Sequence, residues 1–199
     1  KADKGRNFNL SIISNETTIT GLLSLIPGTY SEKLNKYDCD GKVDFKLTIN
    51  GVYSEKLTPT ILAEFGASNA SMKPNGGDYS LKQISFKGFY KNKISSSQPY
   101  DQLIINNFSA QLENQPIQAN FTIEDFKNPN VNIYTKATLN LEIVSQFYKP
   151  DTIESMSGTF TIDGKIAGRV KEKTSWTSEG ALSMNAVNFK LKQKEILMK

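Results

Sequence analysis

The feature that most constrains this chain is a strict alternation of apolar and polar side chains. Between Gly41 and Gly51, Val43, Phe45, Leu47 and Ile49 fall on one side while Asp44, Lys46, Thr48 and Asn50 fall on the other. A period of two is the mark of a strand with one face against apolar matter and one in water, because successive strand side chains point to opposite faces. The same rhythm runs through Ile84-Phe86-Gly88-Tyr90, Ile117-Ala119-Phe121-Ile123, Val131-Ile133-Thr135-Ala137-Leu139, Phe160-Ile162-Gly164-Ile166 and Val187-Phe189-Leu191. Further strands are expected near 7–13, 60–72 and 101–112.

Turn-forming clusters rich in Pro, Gly, Asn and Ser separate these runs at 73–78, 95–99, 113–116 and 127–130. Short connections make successive strands antiparallel neighbours. Two stretches break the rhythm: 18–26 and 140–147 carry apolar residues at helical spacing, and Pro27 and Pro150 follow them. Each is expected to be a short helix. The fold class is therefore all-β: a curved antiparallel meander, groove-like or closed into a sandwich, with one or two short helices.

An internal repeat underlies this order. Asn9-Leu10, Leu22-Leu23, Pro27, Gly41, Gly51 and Asn69-Ala70 are answered by Asn132-Ile133, Ile143-Val144, Pro150, Gly158, Gly168 and Asn185-Ala186. The glycine pairs have equal spacing, 51 − 41 and 168 − 158, both ten residues. The reading is a first β unit over 1–129 and a partial second over 130–199, continuous with the first, with a repeat of about 120 residues. Glycines bracketing a long strand allow bends or bulges, which curve a sheet.

Composition then removes function classes. The 199 residues contain no histidine, so a Ser-His-Asp or Cys-His centre cannot be built. Cys39 is the single cysteine, which excludes an internal disulfide and a thiolate metal cluster. The net charge is +4, but Arg6 and Arg169 are the only arginines and the lysines are scattered, so the footprint of a nucleic-acid binder is missing. No run reaches the ~18 apolar residues of a membrane-spanning helix.

The remaining candidates read as ordinary surface or core. Asp38-Cys39-Asp40-Gly41 with Asp44 imitates the start of a calcium loop but lacks its full spacing and closing Glu, and reads as a solvated turn before a strand. Glu124, Asp125 and Glu142 are the carboxylates from which a glycosidase pair would be drawn, and they read as strand-end residues. Phe45, Phe65, Phe86, Phe89, Tyr90, Phe121, Phe126, Phe160 and Phe189 read as core or groove lining, with Trp176 outside any clear pattern. The sequons at Asn9, Asn15, Asn69, Asn107 and Asn120 are attributed to composition. No catalytic residue, metal or cofactor is expected.

Several segments together resemble one family. Leu22-Leu23-Ser24-Leu25-Ile26-Pro27, the strand framed by Gly41 and Gly51, Ile117-Gln118-Ala119-Asn120-Phe121-Thr122-Ile123-Glu124-Asp125-Phe126-Lys127-Asn128-Pro129, and Leu139-Asn140-Leu141-Glu142 leading to Ser157-Gly158 and Gly168 are similar to the AsmA family of bacterial envelope proteins. The resemblance runs from about residue 7 to 192. It implies a periplasmic protein held at the inner membrane by a helix outside this segment and involved in outer-membrane biogenesis. It also implies phospholipid transfer along a β-groove, with acyl chains inside and head groups in water.

The expected ligand surface, or core, is the apolar face that includes Val43, Phe45, Leu47, Ile49, Ile84, Phe86, Phe121, Ile123, Phe160 and Ile162. The partners expected are phospholipid acyl chains and other envelope proteins, with no nucleic acid. The alternative reading is a β-sandwich module that binds protein or glycan at its loops, with the same residues wholly buried.

Overall fold

The structure is a computed structural model and describes residues 5–19, 35–93 and 100–192. The helix expected over 18–26 falls outside these residues except for Thr18 and Ile19, as does the turn expected at 95–99. Nine strands follow one another: β1 (Arg6–Thr18), β2 (Tyr37–Tyr53), β3 (Thr60–Pro74), β4 (Leu81–Lys91), β5 (Gln102–Leu112), β6 (Gln115–Glu124), β7 (Asn130–Asn140), β8 (Ile153–Arg169) and β9 (Thr177–Leu191). Among the described residues, the α-helix α1 (Leu141–Phe147) joins β7 to β8, Ile19 after β1 is also helical, and a 3-10 turn (Lys173–Ser175) precedes β9.

The strands form one sheet whose spatial order is the chain order, antiparallel throughout. It is an open meander, and among the described residues there is no second sheet, so the sandwich arrangement does not occur there. Pairing runs without a break across residue 129, since β6 and β7 match from Ile117↔Ala137 to Glu124↔Asn130. The tightest connection, between β5 and β6, places both Glu113 and Asn114 at positive φ, 48° and 64°. That is the conformation a two-residue hairpin requires to match strand twist. Strand β6 therefore begins at Gln115 and includes Pro116, shortening the turn expected at 113–116.

The repeat is visible in the hydrogen-bonding register. Adding 117 to each number of the β2–β3 pairing from Asp38↔Lys73 to Asn50↔Thr60 reproduces the β8–β9 pairing: Val43↔Ala67 becomes Phe160↔Met184, Phe45↔Phe65 becomes Ile162↔Leu182, and Asn50↔Thr60 becomes Ala167↔Thr177. Both hairpins carry the same bulge, in which one glycine opposes two residues. Gly41 faces Asn69 and Ala70, and Gly158 faces Ala186 and Val187. Asn69 and Ala186 are left-handed at φ 52° and 50°. The structural partner of Asn69 is thus Ala186, not Asn185, and the spacing of 117 residues stays constant across the bulge.

Similar bulges cross the sheet at Glu16, Gln83 and Asn107, each at positive φ. Three of the displaced backbone N–H groups are met by side chains on the neighbouring strand. Glu16 donates to Asp44 Oδ1 at 3.0 Å, Asn69 to Ser85 Oγ at 3.1 Å and Asn107 to Asn120 Oδ1 at 2.7 Å. An extra residue on one strand bends it and strengthens its twist, so a row of bulges curves the sheet at that end.

Helix α1 stands at the bulged end. Asn140 caps it, accepting from Ile143 N–H, and Glu142 Oε2 accepts from Gly158 N–H. Leu141 and Ile143 are buried. The helix also touches the end of β3 and its surroundings: Gln146 Oε1 accepts from the N–H of Asp78 in the loop after β3 at 2.9 Å, and the hydroxyl of Tyr37 on β2 donates to the Phe147 carbonyl at 2.8 Å. In a flat sheet, β3 lies about 19 Å from β7, whereas a helix is about 10 Å across. The helix reaches both because the sheet bends round it, forming a trough that α1 closes at one end.

Candidate functional site

The site is the apolar face of this trough, and the register defines it. One row runs through all nine strands as Ser14, Phe45, Phe65, Gly88, Ile105, Phe121, Ile133, Ile166 and Ser178. The next row towards the open end reads Ile12, Leu47, Ala63, Tyr90, Leu103, Ile123, Val131 and Gly168. All ten residues singled out from the sequence lie on this one face. Val43 and Ile84 are buried against the neighbouring Ala67, Ala70 and Ala110, and the other eight are half-buried.

The reverse face is mostly polar, with Ile13, Leu62, Phe89 and Ile104 as apolar exceptions. Lys46 pairs with Glu64 at 3.6 Å, Lys136 with Asp163 at 2.8 Å and Lys42 with Glu16 at 2.7 Å. Hydrogen bonds from Lys136 and then from the Tyr134 hydroxyl hold the Asp163 carboxyl below its ordinary range. Opposite charges alternate along this surface, which leaves no concentrated positive patch on it.

Sequence reasoning passed over the small residues. Ala63, Ala67, Ala70, Ala110 and Ala137 are among the most buried side chains, and no large side chain among the described residues is fully buried. On the inner side of a bend, neighbouring side chains crowd together, and alanine fits where larger groups would collide. Gly88 follows the same logic, since a Cβ there would come within 2.3 Å of the Phe65 ring. The signal was the alternation Ala63, Phe65, Ala67, which reads as a weak apolar strand.

Most of the aromatics lie on the trough face: Phe45, Phe65, Phe86, Tyr90, Phe121, Phe160 and Phe189 by register, with Phe126 leaning on Tyr90 at a ring distance of 6.1 Å. Phe89 is the exception. It pairs with Glu64 and Ile104 on the reverse face, out of phase with Gly88 and Tyr90. Trp176 covers Gly168, where an added Cβ would meet the indole at 2.7 Å.

The carboxylates do not assemble into a pair. Glu124 accepts from Gln102 Nε2 at the open end and Asp125 lies 3.9 Å from Arg169, while Glu142 sits on α1. The length of β7, about 34 Å, separates Glu142 from the others. Tyr37 to Asp40 belong to strand β2, not to a turn, so Asp38 and Asp40 do not face a common centre with Cys39. Burial and then the charge of Asp38 push the Cys39 thiol up, which disfavours the reactive thiolate.

Exposure grows towards the two edge strands. Phe8, Leu10 and Ile12 of β1 and Leu182, Met184 and Phe189 of β9 are between 39% and 58% exposed. At the β8–β9 edge, Gly164 opposes Gly180, leaving an open notch of about 170 Å³ in the apolar face, walled by Ile162, Ile166 and Leu182. No family model, curated protein or solved structure matches the chain.

Proposed function

We propose that this protein is a non-enzymatic lipid-handling segment that holds acyl chains along its trough. The observation that carries the reading is the mainly apolar face that crosses the sheet, covered by helix α1 at one end and by no second layer elsewhere among the described residues. A continuous face of this kind in a soluble segment calls for an apolar partner. The stretch of β2 from Phe45 to Val52 spans about 26 Å, and one bilayer leaflet of acyl chain is about 15 Å deep, so a lipid tail fits between helix and open end. Each methylene moved from water onto this wall contributes about 0.8 kcal/mol, and so affinity needs no specific polar site. Head groups would remain in water at the rim.

The likeness of the chain to the AsmA family adds a setting to this chemistry: the periplasm, inner-membrane attachment, and phospholipid movement that serves outer-membrane biogenesis. Native mass spectrometry after incubation with phosphatidylethanolamine–phosphatidylglycerol vesicles tests the reading. Adducts of lipid mass are expected. Ile166→Glu, at a trough position already 41% exposed, should reduce them with the fold intact, while Lys165→Glu on the reverse face should not. A lipid-free spectrum for the unmodified protein at saturating vesicle concentrations would overturn it.

A further inference from the structure

The geometry points to the reverse face of the β5–β6 hairpin, in the middle of the sheet, as a binding site for an uncharged oligosaccharide. Charge is the first observation. On the reverse face β4 presents Lys82, Lys87 and Lys91 on one flank, and β7 and β8 present Lys136, Asp163 and Lys165 on the other. Between these flanks, residues 102–112 and 115–123 contain no charged side chain. Apart from Ile104 and Pro116, their reverse face is built of amides and hydroxyls, including Asn106, Ser109, Gln111, Gln118, Asn120 and Thr122. Ions hold water far more tightly than amides do, so a neutral ligand displaces water most easily from the uncharged part of a polar face.

Shape is the second observation. Pairing between β5 and β6 jumps from Ile105↔Phe121 to Phe108↔Ala119, so that Asn106 and the left-handed Asn107 both oppose Asn120. The bulge opens a hollow of about 360 Å³ lined by Asn107, Ser109, Gln118, Asn120 and Tyr134, a volume within the range of small-ligand sites. Asn120 Oδ1 accepts the Asn107 N–H at 2.7 Å, which leaves the Asn120 amide nitrogen as a donor. The side chains of Asn107, Ser109 and Gln118 have no hydrogen-bond partner among the described residues. A side-chain amide sets donors beside an acceptor, and this matches adjacent sugar hydroxyls, each of which both donates and accepts. Tyr134 completes the wall. Its hydroxyl donates to Asp163 at 3.0 Å, which holds the ring in place as a rigid surface for the C–H face of a sugar. The nearest ions, Lys136 and Asp163, already pair with each other at 2.8 Å, so neither an anion nor a cation finds a free counter-charge here.

The probes are cellotetraose, maltotetraose and chitotetraose, with tetragalacturonate as the charged control, each titrated into the isotopically labelled whole chain and followed by NMR. Saturable shifts are expected for at least one neutral sugar, centred on the side-chain amides of Asn107, Gln118 and Asn120. Asn120→Asp keeps the acceptor that the bulge needs and removes the donor, so it should weaken binding about tenfold with the thermal unfolding midpoint unchanged. Gln118→Glu, at an exposed position, should weaken it as well. Absence of saturable shifts with all three neutral sugars, shifts centred on another surface, tighter binding of tetragalacturonate, or full binding by both variants would each overturn the assignment. The trough lies on the opposite face and its lipid uptake is read by mass, so either proposal can fail without the other.

Discussion

Hairpins β2–β3 and β8–β9 share a register, a glycine bulge and a left-handed residue, yet they live in different surroundings. Ala67 and Ala70 are 6% and 2% exposed, while Met184, equivalent to Ala67, is 58% exposed. The difference comes from neighbours, not from the hairpins. Among the described residues the first has β1 on one side and β4 on the other, whereas the second has β7 on one side and no strand on the other. Where both sides are occupied and the sheet bends, small residues fill the inner face. At the edge, large residues stand open. Apolar patterning therefore states which face is inward, and the strands alongside decide how much of it is buried.

The largest effect should come from placing a charge at the two equivalent positions. Ala67→Asp puts a carboxylate among Val43, Ala70 and Ile84 and should cost about 3 kcal/mol or more in urea unfolding, while Met184→Asp should stay within about 0.5 kcal/mol. Equal costs would break the comparison. The bulge glycines are the converse case, since they should behave alike. An added Cβ at Gly41 would come within 2.6 Å of Ala70, and at Gly158 within 2.4 Å of the Ala186 carbonyl, both at positive φ. Each Gly→Ala change should cost about 1–3 kcal/mol in thermal unfolding, and a large inequality would show that only one bulge supports the fold.

Tyr37→Phe tests the link between the halves, because this hydroxyl of the first hairpin donates to the last residue of α1. A loss of about 1 kcal/mol is expected, with faster amide exchange in α1. The smallest effect concerns pH. Position 163 of the second hairpin is equivalent to Lys46 of the first (46 + 117), and Asp163 answers Lys136 where the first hairpin has Lys46 answering Glu64. A carboxyl held below its unfolded value adds stability that is complete above that value, about pH 4, and fades as the pH falls through the folded one. NMR titration should find Asp163 low, and Lys136→Met should move it up.

Much of this architecture is legible in the sequence because alternation is a local property. Val43 to Ile49 and Phe160 to Ile166 announce their faces without help from the rest of the chain. The bulges are not legible in this way. Glu16, Gln83 and Ala186 adopt left-handed backbone without being glycine or asparagine, since partners on adjacent strands impose it. Phe89 is misleading for a related reason, because an aromatic next to Gly88 and Tyr90 reads as lining while the pleat turns it to the back. The number of layers is a property of the whole sheet and is encoded in no single strand. The docking of α1 on Tyr37 joins residues 110 positions apart, beyond the reach of any local pattern.

Helix α1, lodged across one mouth of the trough, gives an otherwise symmetrical gutter a blind end. On the proposed reading, a long flexible tail would enter from the far mouth or over the side, and the stopper would set which end of it faces out.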